Sequence, residues 1–218
     1  MTTVTFPSTP KPNGMSWRLV MPAQTNVSEW TGRRQTLASG RGWWECQLSL
    51  PPIVGTANVN AWRSFIAKSR GAANDFRVPV DPTAQYVGSP ASVVGSLSLN
   101  FTTGLYQTFS EGEAFVNGSG QTGRTINATG FPASTTVLQA GQFVTINDQL
   151  LQLTENVTSN SLGVAVLTFE PPIRTSPANY APIEYANPYC LMYFVEEPTL
   201  SVENGYVYSL SLNLRESF

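Results

Sequence analysis

Histidine is absent from this 218-residue chain, and its absence removes much chemistry at once. There is no imidazole to serve as a general base near neutral pH, to complete a Ser-His-Asp triad or to fill most zinc sites. Two cysteines remain, Cys46 and Cys190, each inside an apolar strand-like run. So separated a pair makes neither a metal-ligand cluster nor the disulfide framework of a small secreted domain. Both read as buried free thiols, with a single bridge as the alternative. Glycoside cleavage needs two carboxyl groups flanking one bond, and two pairs are candidates. Glu111 and Glu113 share a face if Glu111–Phe115 is a strand, and Glu196 and Glu197 are adjacent. Both pairs also read as solvated strand ends, which is the simpler account. The run GSGQTGRT, from Gly118 to Thr125, is Gly-rich but lacks the Lys-Ser/Thr ending of a phosphate loop; it reads as a connector. The expectation is therefore not an enzyme, with no catalytic, cofactor-binding or metal-binding residue assigned.

Charge placement is more informative. The net charge is -2, and charged residues make up 12% of the chain, against roughly 25% in typical soluble domains. Residues 1–77 hold nine bases (Lys11, Arg18, Arg33, Arg34, Arg41, Arg63, Lys68, Arg70, Arg77) against Glu29, Glu45 and Asp75, a net of +6. The remainder holds Arg124, Arg174 and Arg215 against eleven acids, a net of -8. Such a split suits complementary faces meeting inside one fold or between subunits of an oligomer. Nucleic-acid binding ranks third, because no recognition motif accompanies the bases. Arg33, Arg34 and Arg41 are the candidate subunit-interface residues.

The elements that must position these groups are mostly strands. Low charge with abundant Ser, Thr, Asn, Gly and Pro suits short strands joined by polar turns. Residues 1–14 form a Pro-rich arm that opposes regular structure. Strands are expected at Ser16–Met21 and Trp43–Leu50, the latter with Trp44, Cys46, Leu48 and Leu50 on one face. Between them, Thr25–Ser39 reads as a twisted ribbon or arm. A helix is expected from Asn58, its buried stripe made of Val59, Trp62, Phe65 and Ile66. Thr56 or Asn58 would cap its start and Gly71 its end. A strand follows at Asp75–Val80. Gln142–Ile146 and Gln149–Leu153 form a hairpin about Asn147-Asp148, and Gly163–Phe169 is a strand stopped by Pro171-Pro172. Tyr189–Val195 is a buried run, and Gly205–Leu214 alternates as one long strand that pairs with an early one. The organisation expected is a discontinuous base, residues 1–85 with 186–218, carrying an inserted β-domain at 86–185. No apolar run approaches the roughly 20 residues of a membrane helix and no signal-peptide pattern opens the chain, so a soluble protein is expected.

Three stretches together resemble the distal tail protein family of long-tailed bacteriophages. They are TGRRQTLASGRGWWECQLSLPPI, AWRSFIAKSRGAANDFRVPV, and the segment from Gly120 to Asn179 with its Leu-x-Ala-Gly-x-Phe start and Glu-Pro-Pro-Ile-Arg close. The resemblance implies a mainly β fold: a β-sandwich base with one helix and a long β-ribbon, carrying a small OB-like or galectin-like barrel or sandwich. It implies a structural virion protein at the tail tip, made in the host cytoplasm and assembled as a hexameric ring. Its partners would be further copies of itself, the tail tube protein and the hub or fibre protein, with a host surface glycan as a further candidate. No cofactor, membrane insertion or sequence-specific nucleic acid is implied.

Two other functions compete. A carbohydrate-binding adsorption module would use the insert and aromatics such as Phe101, Tyr106, Phe109 and Phe131, and a tail-tube subunit would stack into long polymers rather than one or two rings. A hydrolase using Glu111 or Glu113 ranks behind both.

Overall fold

The computed structural model describes residues 2–80, 114–203 and 207–218. The described chain is mainly β with one helix. In order, its elements are β1 (Gly14–Val20), β2 (Ala23–Val27), β3 (Arg34–Ala38), β4 (Trp43–Ser49), α1 (Thr56–Ser69), β5 (Phe76–Pro79), β6 (Ala114–Val116), β7 (Gly123–Thr129), β8 (Thr136–Leu138), β9 (Phe143–Ile146), β10 (Gln149–Leu153), β11 (Val157–Thr158), β12 (Ala165–Ile173), β13 (Pro182–Glu184), β14 (Tyr189–Phe194), β15 (Ser201–Glu203), β16 (Val207–Ser209) and β17 (Ser211–Glu216). Two compact units result: residues 1–80 with 189–218, and residues 81–188.

The outer unit is built on an antiparallel five-stranded sheet, ordered β1-β4-β17-β14-β5. Its inner face is fixed by the period of two in each strand. Trp44, Cys46 and Leu48 of β4 lie opposite Leu19, Trp17 and Met15 of β1, and Leu212 and Leu214 of β17 lie opposite Leu48 and Cys46. The final strand thus joins the centre of the sheet. The long strand expected over Gly205–Leu214 is, however, two: β16 pairs with β15 in a separate ribbon, and β17 alone enters the sheet. The break falls at Leu210, whose carbonyl accepts the Leu50 amide at 3.1 Å.

The helix covers this inner face with Val59, Trp62 and Phe65, all buried. Phe65 meets Phe76 of β5 and Phe194 of β14 edge-on, at 4.9 and 5.6 Å between ring centroids. Burial of each such side chain contributes about 1.5–3 kcal/mol, which a short helix needs because its propensity alone does not hold it. Its ends differ from expectation. Gly55 is the N-cap residue and makes no side-chain cap, while Thr56 and Asn58 lie inside the helix. Asn58 instead returns its Nδ2 to the Val54 carbonyl at 3.1 Å. At the other end Arg70, at φ 49, takes the left-handed cap one residue before Gly71.

The N-terminal segment is irregular, as its prolines require, yet it is not a free arm. Val4 bridges to Phe76, and Phe6 packs against Trp62, Phe65 and Phe76 with centroids 5.5, 5.4 and 6.2 Å away.

The second unit is a closed barrel of order β10-β12-β7-β6-β13-β9, closed by the β9–β10 hairpin. Asn147 and Asp148 both have positive φ, 54 and 63, as the tight two-residue turn of that hairpin demands. Val144, Ile146, Leu167 and Phe169 fill the interior. Pro171-Pro172 does not end β12, contrary to the sequence expectation. Without proline N–H donors the ladder to β7 slips register between Thr168 and Ile173, and Ile173 re-pairs with Gly123.

Candidate functional site: an exposed two-stranded arm

The chain between β1 and β4 leaves the sheet as a hairpin of β2 and β3, paired from Ala23↔Ala38 to Val27↔Arg34. Every residue of both strands is exposed. Ordinary sheets bury one face; this ribbon buries neither. Its sequence accounts for that, since Gln24, Thr25, Asn26, Gln35 and Thr36 supply too little apolar surface for a core. Pairing is nevertheless secured by the tip. The Ser28 amide donates to the Arg33 carbonyl at 3.0 Å and the Gly32 amide to the Ser28 carbonyl at 2.9 Å. Gly32, at φ +64, supplies the left-handed residue that closes the loop.

The apolar side chains the arm does carry face solvent: Val27 at 53%, Leu37 at 74% and Trp30, at the very tip, at 97% exposure. A lone hairpin is at best marginally stable in water, and its two open edges invite pairing with another chain. The ribbon thus displays a tryptophan and, among the described residues, two edges that pair with no further strand.

All three candidate arginines are exposed. Arg33 and Arg34 stand side by side where the tip meets β3. Arg41 follows the hairpin's base, beyond a strand that rises about 3.3 Å per residue. Arg34 Nε donates to Thr36 Oγ1 at 3.1 Å; none of the three makes an ion pair among the described residues. The tryptophan was missed by sequence reasoning, although a lone indole in a polar run (Ser28-Glu29-Trp30-Thr31-Gly32) was a readable signal.

The other candidates resolve simply. Cys46 and Cys190 are both buried and free, and burial pushes the Cys46 thiol pKa up to about 12. Glu111, Glu113, Phe101, Tyr106 and Phe109 lie outside the described residues. Glu196 and Glu197 are exposed at the end of β14. Phe131 is buried in the barrel, tilted against Tyr185 at 6.0 Å. The Gly118–Thr125 run is the β6–β7 turn together with the start of β7, not a connector. Gln121 occupies its hollow, donating to the Asn117 and Gly118 carbonyls at 2.8 and 3.0 Å and accepting the Asn127 amide at 2.7 Å. Among the described residues no group of three metal-ligating side chains forms, and no helix is long and apolar enough to cross a membrane.

No family model matches the chain, and no curated protein matches it in sequence.

Proposed function

We propose that the protein is a structural subunit that self-assembles through its arm, and specifically a ring-forming component of the distal tail tip of a long-tailed bacteriophage. The observation that carries the assembly reading is the β2–β3 ribbon, exposed on both faces and tipped by Trp30. A ribbon of this kind offers its apolar residues for burial and its open edges, hydrated when alone, for pairing with another chain. The finer identity, a hexameric ring joining tail tube to hub or fibre, rests on the three stretches that resemble distal tail proteins, of which the arm and the strand after it form the first. Arg33, Arg34 and Arg41 serve as the cationic side of the contact, and the acidic remainder of the chain supplies partners for them.

The test is the native mass of the purified protein at low and at high salt. A discrete multiple near six that weakens with salt supports both the ring and its electrostatic contribution, since screening shortens the reach of exposed charges from about 30 Å at 0.01 M to about 3 Å at 1 M salt. A long polymer would instead indicate a tube subunit. A monomer under all conditions counts against self-assembly.

A further inference from the structure

We propose that the cavity at the end of β17 binds a small zwitterion of the α-amino acid class, with its ammonium on Asp75 and its carboxylate on Arg215. The site lies within the outer unit and does not depend on the arm.

The cavity holds about 330 Å³, at the lower end of the roughly 300–1,000 Å³ of ligand pockets. That is room for one amino acid rather than for a chain. Asp75, Tyr193, Arg215 and Glu216 line it, and the sheet register sets their order. Phe76 lies opposite Met192 of β14, so Asp75, one residue before β5, comes level with Tyr193. Tyr193 in turn lies opposite Arg215 of β17. Two strand spacings of about 4.8 Å thus put the Asp75 and Arg215 backbones about 10 Å apart, with Tyr193 between them.

The charges in this cavity are unevenly satisfied. Glu216 is buried, but its Oε2 accepts the Trp44 amide at 2.9 Å. Asp75 is only 7% exposed, yet its carboxylate meets neither a hydrogen-bond donor nor a cation among the described residues. A carboxylate withdrawn from water in this way is costly until a partner reaches it. Arg215 stacks on the Trp43 ring, its Cζ 4.3 Å from the centroid. Stacking holds the guanidinium in place and leaves its N–H edges for a carboxylate, which no described residue supplies. A bare cation drawn to Asp75 would be repelled by Arg215, and a bare anion drawn to Arg215 would be repelled by Asp75. A molecule carrying both charges on neighbouring atoms satisfies the two together.

The experiment is ligand-observed NMR on the full chain, with the twenty protein amino acids as probes at up to about 10 mM, which reads weak as well as tight binding. The best binder is then compared with its N-acetyl form, which lacks the ammonium, and with its amide, which lacks the carboxylate. Each blocked form should bind at least about tenfold more weakly than the free amino acid. Binding of none of the twenty, or equal binding of the blocked forms, overturns the site. This comparison uses the parent protein and so stands whatever a substitution does to folding. Two variants then place the ligand. Asp75→Asn should remove the preference over the N-acetyl form, and Arg215→Gln the preference over the amide, each leaving the other preference in place. A uniform loss of both in either variant would mean that the residue shapes the cavity without meeting the ligand. Methyl glucoside is the control. If it binds instead, lost in Asp75→Asn and kept in Arg215→Gln, the cavity is a sugar subsite and the zwitterion reading fails.

Discussion

The indole Nε1 of Trp62 donates to the carbonyl of Thr9 across 3.0 Å, joining the helix to a segment that belongs to no sheet. The same segment sets Phe6 among Trp62, Phe65 and Phe76. The N-terminal segment thus packs on both the helix and β5, and the helix loses packing if that segment moves.

Removing that plug should be costly. Phe6→Ala deletes a half-buried ring with three edge or stacked partners, and should destabilise the outer unit by about 2–3 kcal/mol, just below the range for a fully buried phenylalanine. Trp62→Phe keeps most of the packing and loses the hydrogen bond, at about 1 kcal/mol. Urea unfolding followed by tryptophan fluorescence measures the first, and far-UV circular dichroism the second. A Phe6→Ala midpoint equal to the parent's would show that the segment does not support the helix.

Two glycines separate backbone strain from collision. A Cβ at Gly32 meets nothing within 4 Å, although its φ is +64. Gly32→Ala should therefore cost only the left-handed penalty, about 1 kcal/mol, and only to the arm. At Gly163, φ +70, a Cβ would stand 2.3 Å from the Phe131 carbonyl oxygen. That atom is backbone and cannot swing aside. Gly163→Ala should destabilise the barrel by about 3 kcal/mol or more, read as an early thermal transition in that variant alone. Equal melting curves for the two variants would contradict the geometry.

How much of this was legible in the sequence depends on where periodicity could act. Strand β4 could be read because Trp44, Cys46 and Leu48 must face one side of a half-buried sheet, and α1 because Val59, Trp62 and Phe65 must share a stripe. The Asn147-Asp148 turn was legible from its residue types, which tolerate positive φ. The docking of residues 2–9 was not, because an irregular segment has no period and Phe6 stands alone in it. The passage of β12 beyond Pro171 was hidden for another reason. Proline forbids a ladder bond at its own position but not the resumption of pairing at Ile173. In the candidate site, Thr25–Ser39 read as a ribbon or arm from its polarity. The separation of Arg41 from Arg33 and Arg34 depends on where the hairpin closes, and the loop between Val27 and Arg34 fixes that.

The Cys46 thiol should make stability fall at high pH. Burial holds its folded pKa near 12, above the ordinary 9.0. Between those values the unfolded chain has released this proton and the folded chain has not, so the unfolded state binds fewer protons. Stability from this group is therefore complete below about pH 9 and declines as pH rises through the window, by up to about 1.4 kcal/mol per unit. Cys46→Val should flatten the dependence between pH 9 and 11 in urea titrations. In the native protein both thiols should resist a disulfide reagent at pH 8 and react once denatured. Rapid native labelling of Cys46 would mean that the sheet centre is open to solvent.

Removing the arm should leave the fold intact while abolishing association, because the two depend on different residues. Val20 and Trp43 are directly paired where the hairpin departs, so Asn-Gly in place of residues 21–42 closes β1 and β4 by a two-residue turn. Every residue of β2 and β3 is exposed, so little buried apolar surface is lost and the unfolding midpoint should move by less than about 1 kcal/mol. The triple reversal of Arg33, Arg34 and Arg41 to Glu is milder, keeping the ribbon and changing its sign. It should leave unfolding alike and lower association most at low ionic strength, where exposed charges act over the longest range. Sedimentation at two salt concentrations reads both variants. Were association and its salt response unchanged by the reversal, the three arginines would carry no part of the contact, and the remaining attraction would have to come from Trp30 and the open strand edges alone.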